Sequence, residues 1–180
     1  MEKQFIALCY KGDLEGAKRL LEIYPEIDIS YDEECAFDDA CINGYLEIAK
    51  WLLELKPNIN ISICSEQPFR YACINNHLEL AKWLLSVKPD INISADNDGA
   101  FRWVCRYKHL EVAKWLQSLK PYLYVIEYSK NGKYIPYKIR NKEEEKWENR
   151  KCALHMSLQE ETNILYHLPI DISKAVTLFV

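Results

Sequence analysis

The sequence predicts an all-α solenoid of about four helix-turn-helix repeats, followed by a C-terminal hairpin and a helical cap. Five columns recur every 32 residues without slippage, at Phe5, Phe37, Phe69 and Phe101, at Cys9, Cys41, Cys73 and Cys105, and at equivalent leucines, alanines and prolines. Five columns in one register identify an internal repeat. A single unit cannot bury its apolar face, whereas stacked units can, and this favours a solenoid.

Each unit contains the pattern of two short helices. In the third unit, Phe69, Ala72 and Cys73 are spaced to share one helix face. After a turn at residues 75–77, a second apolar stripe is formed by Leu80, Ala81, Leu84 and Leu85. Lys88 precedes a proline, and the residue before a proline disfavours the helical conformation. We therefore expect the second helix to end there.

Bulk composition restricts the classes of function. The chain has 180 residues and a formal net charge of -4, so no global field attracts nucleic acid or anionic lipid. No stretch approaches the roughly 18 apolar residues of a membrane span. The apolar run at residues 5–10 is short for the core of a signal peptide. We expect a soluble protein of the cytoplasm, with the nucleus also open, and no cofactor.

The repeat resembles the ankyrin repeat. The third unit contains QPFRYAC at residues 67–73, NHLELAKWLL at 76–85 and DIN at 90–92, and the second contains GYLEIAKWLL at 44–53. The resemblance covers about residues 3–125, in units 3–30, 31–62, 63–94 and 95–125. Two features depart from the family: the period is one residue short, and Lys-Pro replaces Gly-Ala after each later second helix. This variant resembles the ankyrin-repeat proteins of giant DNA viruses of the mimivirus type.

The resemblance implies a protein-binding module without enzymatic activity. Ankyrin proteins bind partners through hairpin tips, here residues 31–34, 63–66 and 95–98, and through the concave face of the first helices. The corresponding candidate residues are Asp38, Asp39, Glu66, Arg70, Tyr71, Asp96, Arg102, Trp103 and Arg106. Several of these positions differ between units, whereas the core columns stay fixed. We therefore expect them to serve a partner protein.

Charge is segregated along the repeats. Residues 20–49 contain nine acids and no lysine or arginine, whereas Arg70, Arg102 and Arg106 follow on the same predicted face. Tyrosine, tryptophan and arginine are the favoured hot-spot residues of interfaces. A face that is acidic at one end and basic-aromatic at the other suits a partner of mixed charge. Ordinary solvated charge is the alternative.

Other conspicuous residues have structural interpretations. Free cysteine behaves as a small hydrophobe, and packed helices are about 8–10 Å apart, too far for disulfides along the column. The tryptophans at 51, 83 and 115 suit packing between repeats, with a binding ridge as the alternative. Histidines 77 and 109 occupy a turn column and are expected to tie backbone together. Cys152, His155 and His167 lack the spacing of a zinc site.

The segment after the repeats has a different pattern. Residues 122–128 and 134–139 suit two strands around the hairpin turn at Asn131-Gly132, and a helix is predicted from residue 141 to about 159. We predict that residues 126–180 form the C-terminal cap. The stretch 128–142 has five bases and three tyrosines, but one short patch in an acidic chain disfavours nucleic acid as a partner.

The last thirteen residues, 168–180, resemble the beginning of an F-box. This short helical motif docks on the adaptor of a cullin-RING ubiquitin ligase, and poxviral ankyrin proteins end in a similar truncated version. The candidate docking residues are Leu168, Pro169, Ile172, Val176 and Phe179. A capping helix with proline in its first turn is the alternative. The tail therefore predicts either a structural cap or a ligase-docking motif.

Overall fold

The fold is described from a computed structural model of the chain. The structure describes residues 1–127, residues 137–140 and Arg150. The chain divides into two units, residues 1–140 and 141–180. The description below concerns the first. The predicted helix at 141–159 and the tail at 168–180 lie outside the described residues, as do Cys152, His155 and His167.

Helices form in pairs at the period that the sequence predicts. The described residues contain four pairs: α1 (Glu2–Lys11) with α2 (Leu14–Ile23), α3 (Tyr31–Asn43) with α4 (Leu46–Leu55), α5 (Ile63–Ile74) with α6 (Leu78–Val87), and α7 (Ala95–Tyr107) with α8 (Leu110–Leu119). Each of the four second helices ends two residues before a proline. The Xaa-Pro stop therefore acts where the sequence predicts it.

The core lies between the two layers of helices. The first helices α1, α3, α5 and α7 pack side by side, and each second helix packs on the first helix of its own unit. All four phenylalanines and all four cysteines of the repeating columns are buried. Trp51 packs on Phe5 and Trp115 on Phe69, with ring centroids 6.0 and 6.1 Å apart. Trp51 and Trp115 therefore pack between units.

A left-handed residue ends each first helix. Gly12, Gly44, Asn76 and Lys108 have φ angles of 79, 79, 66 and 66° at equivalent positions. Glycine is required at residue 44, since a Cβ there would lie 2.4 Å from the His77 ring. The His77 ring nitrogen Nε2 is 3.2 Å from the carbonyl oxygen of Ile42 in the preceding unit. This histidine therefore ties two units together, as predicted.

A short hairpin follows α8. Strands β1 (Tyr124–Ile126) and β2 (Tyr137–Ile139) pair antiparallel, with Tyr124 opposite Ile139 and Ile126 opposite Tyr137. The centre of this register falls between residues 131 and 132, where the sequence predicts the turn; residues 128–136 lie outside the described part. Tyr124 is buried and stacks on Phe101 at 4.1 Å. The hairpin thus covers the apolar end of the fourth unit.

Among the described residues, no helix has both the length and the apolar character to cross a membrane.

Candidate partner-binding face

The hairpin tips begin with a repeated side-chain turn. Asp28, Asn60 and Asn92 each accept a hydrogen bond from the backbone N–H two residues later, at 3.0, 3.1 and 3.1 Å. Asp and Asn commonly nucleate turns in this way. The same serine, at position 30, 62 or 94, also forms a hydrogen bond through its hydroxyl, with Lys56, Glu66 or Lys120 respectively. The motif D/N-I-S therefore sets up each tip.

The tips then adopt a left-handed turn. Cys64, Ser65 and Glu66 have φ angles of 48, 58 and 64°, and residues 96–98 repeat this with 54, 57 and 59°. Left-handed helical conformation costs non-glycine residues about 1–2 kcal/mol each. Such strain persists only where neighbouring contacts enforce it.

Glu66 provides one of these contacts. Its carboxylate accepts a hydrogen bond from the Ser62 hydroxyl at 2.6 Å and one from the backbone N–H of Asn92 at 3.3 Å. The second bond reaches the end of the same unit, where Asn92 begins the turn that leads into the next tip. Glu66 therefore holds its own tip and joins it to the following one.

Arg70 provides the other contact at the third tip. Its guanidinium donates to the carbonyls of Ser65 and Cys64 at 2.8 and 3.2 Å, and to Asp96 of the next tip at 2.5 Å. The side chain is only 13% exposed. Arg70 and Asp96 therefore form an intramolecular clamp across two tips.

Lysine in the Lys-Pro dipeptide has a related function. Lys56 donates to the Ser30 hydroxyl of the preceding tip, and Lys120 donates to the Ser94 hydroxyl at 2.9 Å. Lys88 instead pairs with Asp90 at 3.2 Å. Two of these three departures from the family pattern thus join neighbouring units.

The acidic residues of the second unit are partly enclosed. Asp38 is 9% exposed, and Gln67 of the next unit donates to its Oδ2. Among the described residues, neither Asp38 Oδ1 nor Glu34 Oε2, both buried, has a hydrogen-bond partner. Burial raises the pKa of Asp38 to about 6, and it also raises the pKa of Asp39. The predicted acidic patch is therefore divided: Asp38 is buried in α3, whereas Asp32 is exposed and Asp39 is half-buried.

The exposed part of the face belongs to the third and fourth units. Tyr71 and Trp103 occupy the same repeat position on adjacent helices and are 38% and 40% exposed. Trp103 stacks on Tyr107, with centroids 5.6 Å apart, and the Arg106 guanidinium carbon is 5.3 Å from the centroid of the Trp103 ring. Arg102 is exposed beside them. We call Tyr71, Arg102, Trp103, Arg106 and Tyr107 the aromatic–arginine patch.

The structure thus sorts the sequence-predicted residues. It leaves Tyr71, Arg102, Trp103 and Arg106 exposed on the adjacent helices α5 and α7, and it places Glu66, Arg70 and Asp96 in contacts between tips. Tyr107 is an addition that sequence reasoning missed. Its signal was available, because Tyr107 follows Trp103 by four residues and so shares its helix face.

Burial determines the chemistry of the thiols. Within residues 1–127 the six cysteines are free. Burial raises the pKa of Cys9 and of Cys105 to about 12, and that of Cys73 further still, which leaves them protonated and unreactive. In the part of the chain that the structure describes, no group of His, Cys, Asp and Glu is arranged to hold a metal ion.

Comparison with known proteins agrees with this architecture. A family model described as ankyrin repeats in many copies matches residues 37–85. No curated protein sequence matches the chain. The chain is similar to the X-ray structure of an ankyrin repeat family protein from Legionella pneumophila, with 26% identity and a TM-score of 0.52. The similarity covers 63% of this chain and 36% of the Legionella chain, so the match spans little more than a third of the latter.

The described helices, the matching family model and the similar solved structure lead to one assignment of fold: the chain folds as an all-α solenoid of the ankyrin-repeat type, and residues 37–85 match the ankyrin-repeat model.

Proposed function

We propose that this chain is a non-enzymatic module that binds a partner protein through the aromatic–arginine patch and the neighbouring fourth tip. The observation that carries the proposal is the exposed stack of Trp103 on Tyr107 with Arg106 beside it. Exposed aromatic side chains that are supported by neighbours lose little conformational entropy on binding. Ankyrin repeats generally serve protein interaction, which supports the same function.

Asp39, which lies in the middle of α3 and is half-buried, belongs to the proposed surface as a peripheral residue. Asp38, Glu66, Arg70 and Asp96 enter the proposal indirectly, since their contacts hold the tips in place for a partner. The partner-binding energy is therefore assigned to Tyr71, Arg102, Trp103, Arg106 and Tyr107. Interfaces concentrate their energy in a few such residues.

The test is reconstitution with a purified partner. Affinity capture from cells identifies a candidate, and calorimetry then measures its affinity for the wild-type chain, for Trp103→Ala and for Tyr10→Ala. Tyr10 is the matched control, since it is an exposed aromatic on the first helix of the first unit. We expect Trp103→Ala to weaken binding about 30-fold and Tyr10→Ala to leave it unchanged. Equal affinity of all three proteins contradicts the proposal.

A second candidate function rests on the tail. Residues 168–180 resemble the F-box motif at Leu168, Pro169, Ile172, Val176 and Phe179, and these residues lie outside the described part of the chain. We propose as the alternative that the chain brings its bound partner to a host cullin-RING ligase. Co-precipitation of the cullin adaptor with the full chain, but not with a version ending at Tyr166, supports this function.

The sequence also supports a proposed setting for either function. Its Lys-Pro repeat variant resembles proteins of giant DNA viruses, and its buried cysteine column suits a reducing compartment. We therefore propose action in the cytoplasm of an infected host. Detection of the chain by fractionation of infected cells tests this setting, and recovery only from a secreted fraction contradicts it.

A further inference from the structure

We propose that the aromatic–arginine patch selects a partner segment with two carboxylates about 5–6 Å apart beside an apolar side chain. The inference rests on the proposed function and adds the chemistry of the ligand. It begins with spacing: Arg102 and Arg106 are separated by four residues on α7, as are Trp103 and Tyr107. Residues at this spacing lie about 5–6 Å apart on one helix face.

The two arginines retain charge that the chain does not neutralise. Nearby acids are already engaged, because Asp96 pairs with Arg70 and Asp98 accepts a hydrogen bond from Tyr124 at 2.8 Å. Within residues 1–127 and 137–140, no carboxylate pairs with Arg102 or Arg106. Both are exposed. A ligand of opposite charge is thus the complement of this half of the patch.

The chemistry of arginine favours an oxyanion ligand, and the carboxylate is the oxyanion that an unmodified protein partner carries. Guanidinium groups present a planar fork of donors that matches a carboxylate in two parallel hydrogen bonds. The Arg106 guanidinium lies over the Trp103 ring. This contact involves the charge of the guanidinium and leaves its N–H donors available to a ligand. The ring also restricts the side chain before a ligand arrives, and this lowers the entropic cost of binding.

The aromatic row supplies the apolar half. Trp103 is 40% and Tyr107 is 52% exposed, and their rings stack on each other. Tyr71 extends this surface onto α5 at the position equivalent to Trp103. An apolar side chain beside the two carboxylates would cover these rings. The ligand is therefore an acidic segment with an apolar anchor, carried either as alternate residues of an extended chain or as residues four apart in a helix.

Nucleic acid fits the same residue types less well. Base stacking on aromatics with phosphate contacts would need a track of cations, and a typical duplex contact neutralises about 6–10 phosphates. The patch contains two arginines, with Lys108 after them. The adjoining second unit carries Asp32, Glu34, Asp38 and Asp39, which would repel a polyanion that continued along the face.

The experiment selects peptides from a random displayed library on the full chain and measures the affinity of the best synthetic peptide by calorimetry. We expect selected sequences to be enriched in paired Asp or Glu beside a large apolar residue. Arg102→Gln with Arg106→Gln should weaken binding at least about tenfold, and the double lysine variant at the same positions should weaken it less. The matched control, Lys82→Gln with Lys114→Gln, removes the same charge from the second helices and should change affinity less than about twofold.

Several results overturn the inference. It fails if no peptide is selected, if selected peptides lack acids, or if the double glutamine variant binds them as tightly as the wild type with unchanged melting. Preferential binding of single-stranded oligonucleotide at the patch also overturns it, as does a dimer by sedimentation that dissociates in the glutamine variant. If acid-free peptides bind and Trp103→Ala abolishes their binding, only the acidic selectivity fails. If neither peptides nor the purified partner respond to Trp103→Ala, the proposed function fails as well.

Discussion

The first helices of the second and fourth units present opposite solutions to one repeat position. In α3 the position holds Asp38, which is buried against Gln67 of the next unit, and in α7 it holds Arg102, which is exposed. Both residues directly follow a phenylalanine of the repeating core, at a position whose residue type differs between units. Departure from a repeat therefore shows that a position is free of the core, and its neighbours decide whether it faces solvent or another unit.

Helices α3 and α7 both pack on the same apolar core, so a substitution in that core should have the largest effect on stability. We expect Phe69→Ala to lower the free energy of unfolding by about 3–5 kcal/mol, because Phe69 is fully buried and contacts Trp115. Urea denaturation followed by circular dichroism measures this loss. Tyr71→Ala is the control on the same helix, with an expected change below about 0.5 kcal/mol. An unchanged midpoint for Phe69→Ala would show that the core assignment is wrong.

The burial of Asp38 predicts a pH-dependent effect on stability. Its sign is opposite to that of Phe69→Ala, because removing the buried charge should stabilise the fold. Its pKa rises from 3.8 to about 6 because the charged carboxylate is desolvated, so the folded state binds the proton more tightly than the unfolded state. Stability is therefore lost as pH rises from about 4 to about 6, by up to about 3 kcal/mol. Asp38→Asn mimics the protonated form and should stabilise the chain at pH 7.5.

Melting of Asp38→Asn and the wild type across this pH range tests the prediction. The difference between them should shrink as pH falls and approach zero below about pH 3, where Asp38 is protonated in both the folded and unfolded states. Asp39, whose nearby charge also raises the pKa of Asp38, is present in both proteins. A stabilisation that is the same at pH 4 and pH 7.5 would mean that the charge of Asp38 is not its cause.

Sequence periodicity predicted the parts of this molecule that repeat. The 32-residue columns located the eight helices described within residues 1–127 and the buried phenylalanines and cysteines, because each arises from packing that every unit shares. The tie made by His77 was expected from the resemblance of its turn to the ankyrin repeat. The antiparallel strands were also predicted. Periodicity could not separate the clamped Arg70 from the exposed Arg102, since that difference depends on whether the next tip supplies an acid such as Asp96.

The two arginines of one column should therefore respond differently to truncation. We expect Arg70→Ala to destabilise the chain by about 1–2 kcal/mol, since it removes charge-assisted hydrogen bonds to Asp96 and to two tip carbonyls. Arg102→Ala should change stability by less than about 0.5 kcal/mol, because its side chain is exposed. For the affinity of a partner the order should reverse, because Arg102 is assigned to the binding surface and Arg70 is not. Equal stability losses would remove the distinction between clamp and patch.

The smallest expected effect comes from the left-handed tip that Arg70 clamps. Ser65 has a φ of 58° and is exposed, so its side chain adds strain without a buried contact. Glycine adopts this conformation without a Cβ penalty, but it loses more entropy on folding. We expect Ser65→Gly to stabilise the chain by about 0.5 kcal/mol. Ser65→Val is the matched opposite, because a β-branched residue is strongly disfavoured at positive φ, and its melting temperature should fall. If both variants melted as the wild type does, the tip would not be held in the left-handed turn, and the carbonyl contacts of Arg70 could not be what fixes it.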